Sequence, residues 1–414
     1  MSPTGRPEGE QRSAQHEALP ITPTGLPEGE QRSAQHEAKP VSGRSLVRAL
    51  WREWALVVAV ATTVTFLVAG KDWLADFSSR AWFALMLGWL FVAIMTCAFA
   101  VVRHADAIAL RIGEPLGTLV LTLAMSGMEM MMIASVMYTG QGGASLARDT
   151  MMAIVMIVLN GLVGTCLLAG GVRYHEQTYN LSGANAFLAV LIPLSVFGLV
   201  LPEFTVSTPG PMHSPRQSAF LIVVSVALYG VFLAIQTLWH RDYFVSPEPA
   251  PAPGHDAAAH PQRAQSLAWN VVLLLAYVVP IVLLSKQIAY PIDYGISGLG
   301  APPAVGGLIV AVLILAPESL AAVRAALGNQ LQRSINLALG TALSTISLTI
   351  PAVLVIGLVT GRTIILGLGG VDILMLVLTL VVSMLTFAFQ RTNVLLGAVH
   401  MLMFFAYLML VFER

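Results

Sequence analysis

The sequence predicts an all-α integral membrane protein of about eleven transmembrane helices, one leading helix followed by two inverted five-helix repeats. Three observations carry that expectation. Only 11% of the 414 residues are charged and 56% are apolar, where a soluble domain carries about 25% charged residues; the mean hydropathy is +0.77. Eleven stretches are long and apolar enough for a helix to cross the hydrocarbon, which takes about 20 residues. Two of these stretches, five spans apart, carry an acidic residue at matched places.

Along the chain, residues 1–44 form a polar tail that opens with a tandem duplication, PTGRPEGEQRSAQHEALPIT followed by PTGLPEGEQRSAQHEAKPVS. Rich in Pro, Gly, Glu and Gln and lacking an apolar stripe, it is expected to be disordered. His16-Glu17 and its copy His36-Glu37 are expected to be solvated rather than metal-bound. No short apolar stretch opens the chain, so no signal peptide is expected. The spans follow at 53–70, 82–102, 116–138, 150–172, 184–202 and 218–239, then 267–285, 304–326, 335–360, 372–389 and 394–412. Short turns with Gly, Pro or Asn separate most of them. Residues 245–266 are Pro/Ala-rich and read as a flexible linker. It divides the chain into a first half with the leading helix, 45–244, and a second half, 267–414. Loop Lys and Arg are more numerous on the side that holds the N-terminus, which orients that end to the cytoplasm. Net charge is zero, so nothing points to nucleic acid; the partners are the lipid bilayer and whatever ions cross it. Cys97 and Cys166 sit inside apolar runs and make neither a disulfide framework nor a thiolate metal site.

An ionisable side chain inside a span is expensive and is a functional candidate by default. Two acids lie deep within the spans, Glu129 in GTLVLTLAMSGMEMMMIASV and Glu318 in GGLIVAVLILAPESLAAVRA. Aligning Gly117 with Gly306 brings Leu119 onto Leu308 and Glu129 onto Glu318. Downstream, Leu146, Arg148 and Ala153 set against Leu331, Arg333 and Ala338. Copies an odd number of spans apart run through the membrane in opposite directions, and inverted repeats place substrate near the midplane. Gly127 lies two residues before Glu129 and Pro317 immediately before Glu318, where a Pro removes one helix hydrogen bond and bends the chain. Ser126, Asn160, Asn336, Thr341, Ser344 and Thr345 are candidates to add neutral oxygens, the ligand type that hard cations prefer.

Two ionised carboxylates in a low-dielectric region carry two negative charges. One divalent cation, two protons, or a monovalent cation with one proton neutralises them. Crossing is then cheap when loaded and costly when empty, the condition for exchange rather than leak. No cofactor is expected to be bound permanently; Ca²⁺, Na⁺ or K⁺ and H⁺ are cargo. A monovalent antiporter with little Ca²⁺ activity is the alternative. An intramembrane enzyme would need a motif such as HExxH, and none occurs. A channel would need a filter sequence, and none is visible.

The stretches GEPLGTLVLTL with its Glu, LARDT, GANAFLAVLIPL, HRDYF, APPAVGGLIVAVLILAPESLAAVRAA and LQRSINLALGTALSTISLTIP resemble the bacterial cation:proton antiporters of the ChaA type, in the Ca²⁺/H⁺ antiporter family of the calcium/cation antiporter superfamily. The resemblance spans roughly residues 45–414. It implies a bacterial inner membrane, eleven helices in the order already given, exchange of Ca²⁺, or of Na⁺ or K⁺, against H⁺, and a carrier Glu in each repeat, here Glu129 and Glu318. The family's Gly-Ser/Thr element maps onto Gly340-Thr341, with Ser344 nearby. In the first repeat the aligned residues are Val155 and Met156, which lack oxygens, and the following Asn maps onto Asn160. The family's Gly-Asn before each Glu is absent here. Fewer oxygens near Glu129 leave open a looser site tuned to monovalent ions.

The remaining polar residues have plainer readings. Met125, Met128, Met130, Met131, Met132 and Met137 are expected to fill packing gaps rather than bind Cu(I). His104, His175 and His240 are expected in solvated loops, and Asp106, Asp149 and Asp293 at aqueous span ends. Arg148, Arg324 and Arg333 read as interfacial anchors. His400 is either a packing histidine or a proton relay.

Overall fold

The computed structural model describes residues 53–113, 116–139, 144–246 and 266–413. The duplicated tail lies outside the described residues, as does the stretch 247–265 of the expected linker. Eleven long helices account for most of the rest: α1 Trp54–Trp73, α2 Arg80–Ile112, α3 Leu116–Thr139, α4 Leu146–Tyr174, α5 Leu181–Phe204, α6 Pro215–Trp239, α7 Leu267–Ser297, α8 Pro303–Leu327, α9 Leu331–Thr360, α10 Gly370–Thr386 and α11 Val394–Phe412. Each coincides with one expected span. Ten are long and apolar enough to cross a membrane, and α10, at 17 residues, is a shorter apolar helix.

Several starts are written locally. Ser79, Asn180, Ser266 and Asn393 each accept a hydrogen bond from a backbone N–H of the first turn they cap. Ser214 and Gln217 form a reciprocal capping box ahead of α6, with Pro215 in its first turn. Gly361, at φ 67°, ends α9 in the left-handed region that costs glycine little.

The helices at the centre are α3, α4, α8 and α9, and their packing repeats across the halves. Helix α4 packs on α8 and α11, while α9 packs on α3 and α6. Small residues permit the closest approaches, as is usual where lipid supplies no hydrophobic drive between helices. A Cβ at Gly307 of α8 would stand 2.5 Å from the Asp149 backbone of α4, and one at Gly397 of α11 would stand 2.6 Å from Leu168 N. Both central repeat helices widen into π turns, Ile157–Leu162 in α4 and Thr345–Thr349 in α9. In α9, Pro351 follows the wide turn; it lacks an N–H and its ring crowds the preceding turn.

Two short contacts tie the halves at the ends of α4 and α9. After α4, Gln177–Thr178 (β1) pairs antiparallel with Arg391–Thr392 (β2), which precedes α11. After α9, residues 362–369 run extended, and Gly367 N and Leu368 N donate to Pro211 O at 3.0 Å and Leu199 O at 2.8 Å.

Helices α2 and α7 run well past the expected 102 and 285. Polar residues that hydropathy assigns to loops lie within these helices. His104 is not solvated: it sits inside α2, fully buried, with Nδ1 2.9 Å from Asn270 Oδ1 and its ring stacked on Tyr277. Glu53 Oε2 accepts hydrogen bonds from Arg103 and from the Tyr277 hydroxyl, the latter at 2.9 Å. Asp149 is likewise buried rather than aqueous; Arg148 Nε and Ser145 Oγ donate to it at 2.9 and 3.0 Å. His175 and His240 are exposed, as expected. Glu53→Ala removes the acceptor of a fully buried tyrosine hydroxyl, so it is expected to lower stability by about 2 kcal/mol. Thermal unfolding in detergent, compared with Glu53→Gln, which retains an acceptor, measures the effect.

Candidate cation site

Each half supplies one acidic side chain to the centre, Glu129 from α3 and Glu318 from α8. Both turn toward the same helix. Thr345 Oγ1 of α9 donates to Glu129 Oε2 at 2.9 Å, and Thr341 Oγ1, one turn earlier, donates to Glu318 Oε2. Residues four apart lie on one face of a helix, about 5–6 Å from each other, so the hydroxyl pair draws the two carboxylates together. Glu129 lies in the electrostatic field of Glu318. It is 2% exposed, and Glu318 is half-buried.

The donor set leaves room for cargo. Glu129 Oε1 is buried and has no hydrogen-bond partner, an acceptor that a cation or a proton would satisfy. Thr341 Oγ1 also lies 2.9 Å from the Leu337 carbonyl. That hydroxyl therefore serves either state of its neighbour: it donates to an ionised carboxylate, or accepts from a protonated one while donating to the carbonyl. Among the described residues no three His, Cys, Asp or Glu side chains converge. A cation held here rests on two carboxylates and on neutral oxygens.

The other expected ligands divide. Ser126 is buried one turn before Glu129, and its hydroxyl donates to Thr122 O at 2.8 Å. Ser344 is buried between the two threonines, with Oγ 3.1 Å from Thr341 O. Asn336 bonds Phe244 O and Gln332. Asn160 is fully buried, and its hydrogen bonds run to Thr379 and His400 rather than to either glutamate. Of the methionines, Met125, Met128 and Met132 are buried, while Met131 is exposed.

One neighbour escaped the sequence reading, and another was expected at an aqueous span end. Tyr229 of α6 is 4% exposed, its hydroxyl has no hydrogen-bond partner, and it lies in the field of Glu129. Asp106 of α2 is half-buried and lies in the field of Glu318. A tyrosine in an apolar span gives no signal, and Asp106 falls past the hydropathy boundary of its helix.

The sodium/calcium exchanger protein family matches residues 82–238 and 266–413. The chain belongs to this family. It is an ion transporter of the membrane, not an enzyme. The exchanger is 44% identical over 313 residues, 75% of its length and 84% of the relative's, to the putative ionic transporter y4hA of Sinorhizobium fredii. It is 39% identical over 321 residues, 78% of its length and 87% of the relative's, to the sodium-potassium/proton antiporter ChaA of Escherichia coli. Its fold is similar to that of the selenium-substituted Ca²⁺/H⁺ antiporter protein YfkE, with a TM-score of 0.66 and 15% identity over 87% of this chain and 99% of the other.

Proposed function

We propose that this exchanger moves a cation, Ca²⁺ or a monovalent ion, against H⁺ by alternating access across a bacterial inner membrane, its N-terminus cytoplasmic. Glu129 and Glu318 bind cation and protons in turn. The observation that carries this reading is the convergence of two carboxylates from opposite halves on Thr341 and Thr345, with one Glu129 oxygen left buried and unpartnered. An empty, doubly ionised site is costly inside hydrocarbon. One divalent cation or two protons neutralise it, and only then is the switch between faces cheap. Ser126 and Ser344 stand close enough in the chain to these groups to contribute oxygens as the site closes on an ion.

Na⁺ and K⁺ are favoured as cargo by a specific feature. The wide turn of α4 offers one side-chain oxygen, that of Asn160, and it is engaged elsewhere, whereas Ca²⁺ takes about six to eight oxygens. The name of the Escherichia coli relative points the same way, and that of the structural relative points to Ca²⁺.

Proton flux in proteoliposomes, titrated separately with Ca²⁺, Na⁺ and K⁺, tests the reading. Any of the three is expected to drive protons past equilibrium; a flux that only dissipates gradients overturns it. Thr345→Val keeps the side chain's shape and removes the bond to Glu129. It is expected to raise the half-saturating cation concentration about tenfold, read in the same assay.

A further inference from the structure

Asn160 sits in the wide turn of α4, where it is the residue with a side-chain oxygen in the run IVLNGL. Its amide faces α10 and α11, and the order of donors and acceptors there follows from chemistry. His400 of α11 is fully buried. Its Nδ1 stands 3.2 Å from Asn160 Oδ1, an oxygen that only accepts. Nδ1 therefore carries a hydrogen and donates. Nε2 is then the acceptor, and the Thr386 hydroxyl donates to it at 2.9 Å. Asn160 Nδ2 donates to Thr379 Oγ1 at 2.8 Å, and Thr379 Oγ1 donates to Met156 Sδ at 3.5 Å. The bonds run in one direction from Thr386 to Met156, whose sulfur accepts from both Thr379 Oγ1 and Asn160 Nδ2, each at 3.5 Å.

This arrangement differs from its counterpart in the second half. On α9, Thr341 and Thr345 point at the glutamates. On α4, Met156 and Asn160 occupy the corresponding places, and the amide oxygen is held by the histidine. Gly164 of α4 leaves only 3.1 Å between the site of an added Cβ and His400 Cβ, so the helices approach closely enough for the imidazole to reach the amide.

We propose that His400 is a positioning residue that sets cation selectivity: its Nδ1–H holds the Asn160 amide oxygen on the α11 side and withholds it from the glutamate pair. The inference rests on Glu129 and Glu318 forming the cation site. A neutral oxygen withheld penalises Ca²⁺ more than K⁺, because Ca²⁺ needs more oxygens to replace its water. Releasing the amide lets it turn toward the carboxylates and favours the divalent ion. Thr386 acts one step further back, by fixing which ring nitrogen carries the hydrogen.

The test uses the full chain in proteoliposomes, with proton movement driven by Ca²⁺ or by K⁺ alone. His400→Leu is expected to raise the preference for Ca²⁺ over K⁺, taken as the ratio of half-saturating concentrations, by about tenfold. His400→Asn places an N–H near the position of Nδ1 and is expected to restore the parent ratio. Adding Asn160→Ala to His400→Leu is expected to erase the gain. A parent-like ratio in His400→Leu, or a gain that survives in the double variant, overturns the proposal. Should His400→Leu fail to assemble, Thr386→Val leaves the ring in place and is expected to shift the ratio the same way by about two- to threefold; no shift overturns the proposal there. The underlying site is judged separately: exchange surviving Glu318→Gln removes the glutamate pair, whereas an unmoved ratio beside an inactive Glu318→Gln removes only the role of His400.

Discussion

Proteoliposomes carrying Glu318→Gln or Glu129→Gln are expected to show cation-driven proton flux at the protein-free baseline, a loss of at least about 100-fold. Glutamine keeps the length of the side chain and an oxygen that accepts from Thr341 or Thr345, so helix packing is preserved. What it lacks is the charge that binds the cation and the oxygen that takes the proton. One glutamine leaves a single negative charge, which a divalent ion overcompensates, and it takes from a monovalent ion one of its two charged ligands. Because the carboxylates act as a unit, the double variant is expected to be no worse than either single one, the non-additivity of residues that share one task. Either variant retaining a tenth or more of the parent flux would remove that glutamate from the proposed cycle. Size-exclusion profiles matching the parent's separate lost transport from lost fold.

Gly307→Ala is expected to produce the second large effect, this time on assembly. The added Cβ would meet the Asp149 carbonyl carbon at 2.5 Å and Thr150 N at 2.6 Å. Both are backbone atoms of α4, with no flexible side chain to give way, so the two central helices must separate. Overpacking of this kind costs about 1–3 kcal/mol, and here it also displaces the helix that carries Glu318. A lower thermal midpoint in detergent and reduced recovery of folded protein are the expected readouts. Gly88→Ala serves as the control, since nothing lies within 4 Å of its added Cβ. Equal midpoints for the two variants would show that α4 and α8 are not in the contact described.

The eleven spans and the two intramembrane acids were legible because both are properties of composition. A run of about 20 apolar residues has few alternatives to a membrane helix, and a carboxylate in such a run stands out whatever the fold. Thr341 was reached as one of several candidate oxygens and, through the family resemblance, as the residue after Gly340. Thr345 stood among the candidate oxygens, but nothing in the sequence said that it would reach across to the glutamate of the other half. The burial of His104 was illegible for a different reason. Hydropathy averages over neighbours, so Arg103, His104 and Asp106 together read as a loop. The burial of His104 depends on Asn270 and Tyr277, and Arg103 is paired with Glu53, all of them far away in the chain. Asn160 shows the same limit: its position was expected beside the glutamates, and the direction of its amide is set by His400 and Thr379, over 200 residues downstream.

Helix α9 touches both acids, through hydroxyls a single turn apart. A rod that grips two handles so closely cannot tilt in response to one while ignoring the other. In the proposed cycle loading is thus sensed as a sum, and a half-filled carrier would leave the rod under opposing pulls. Proton dependence of turnover should accordingly be steeper than first order, even though each carboxylate takes one proton.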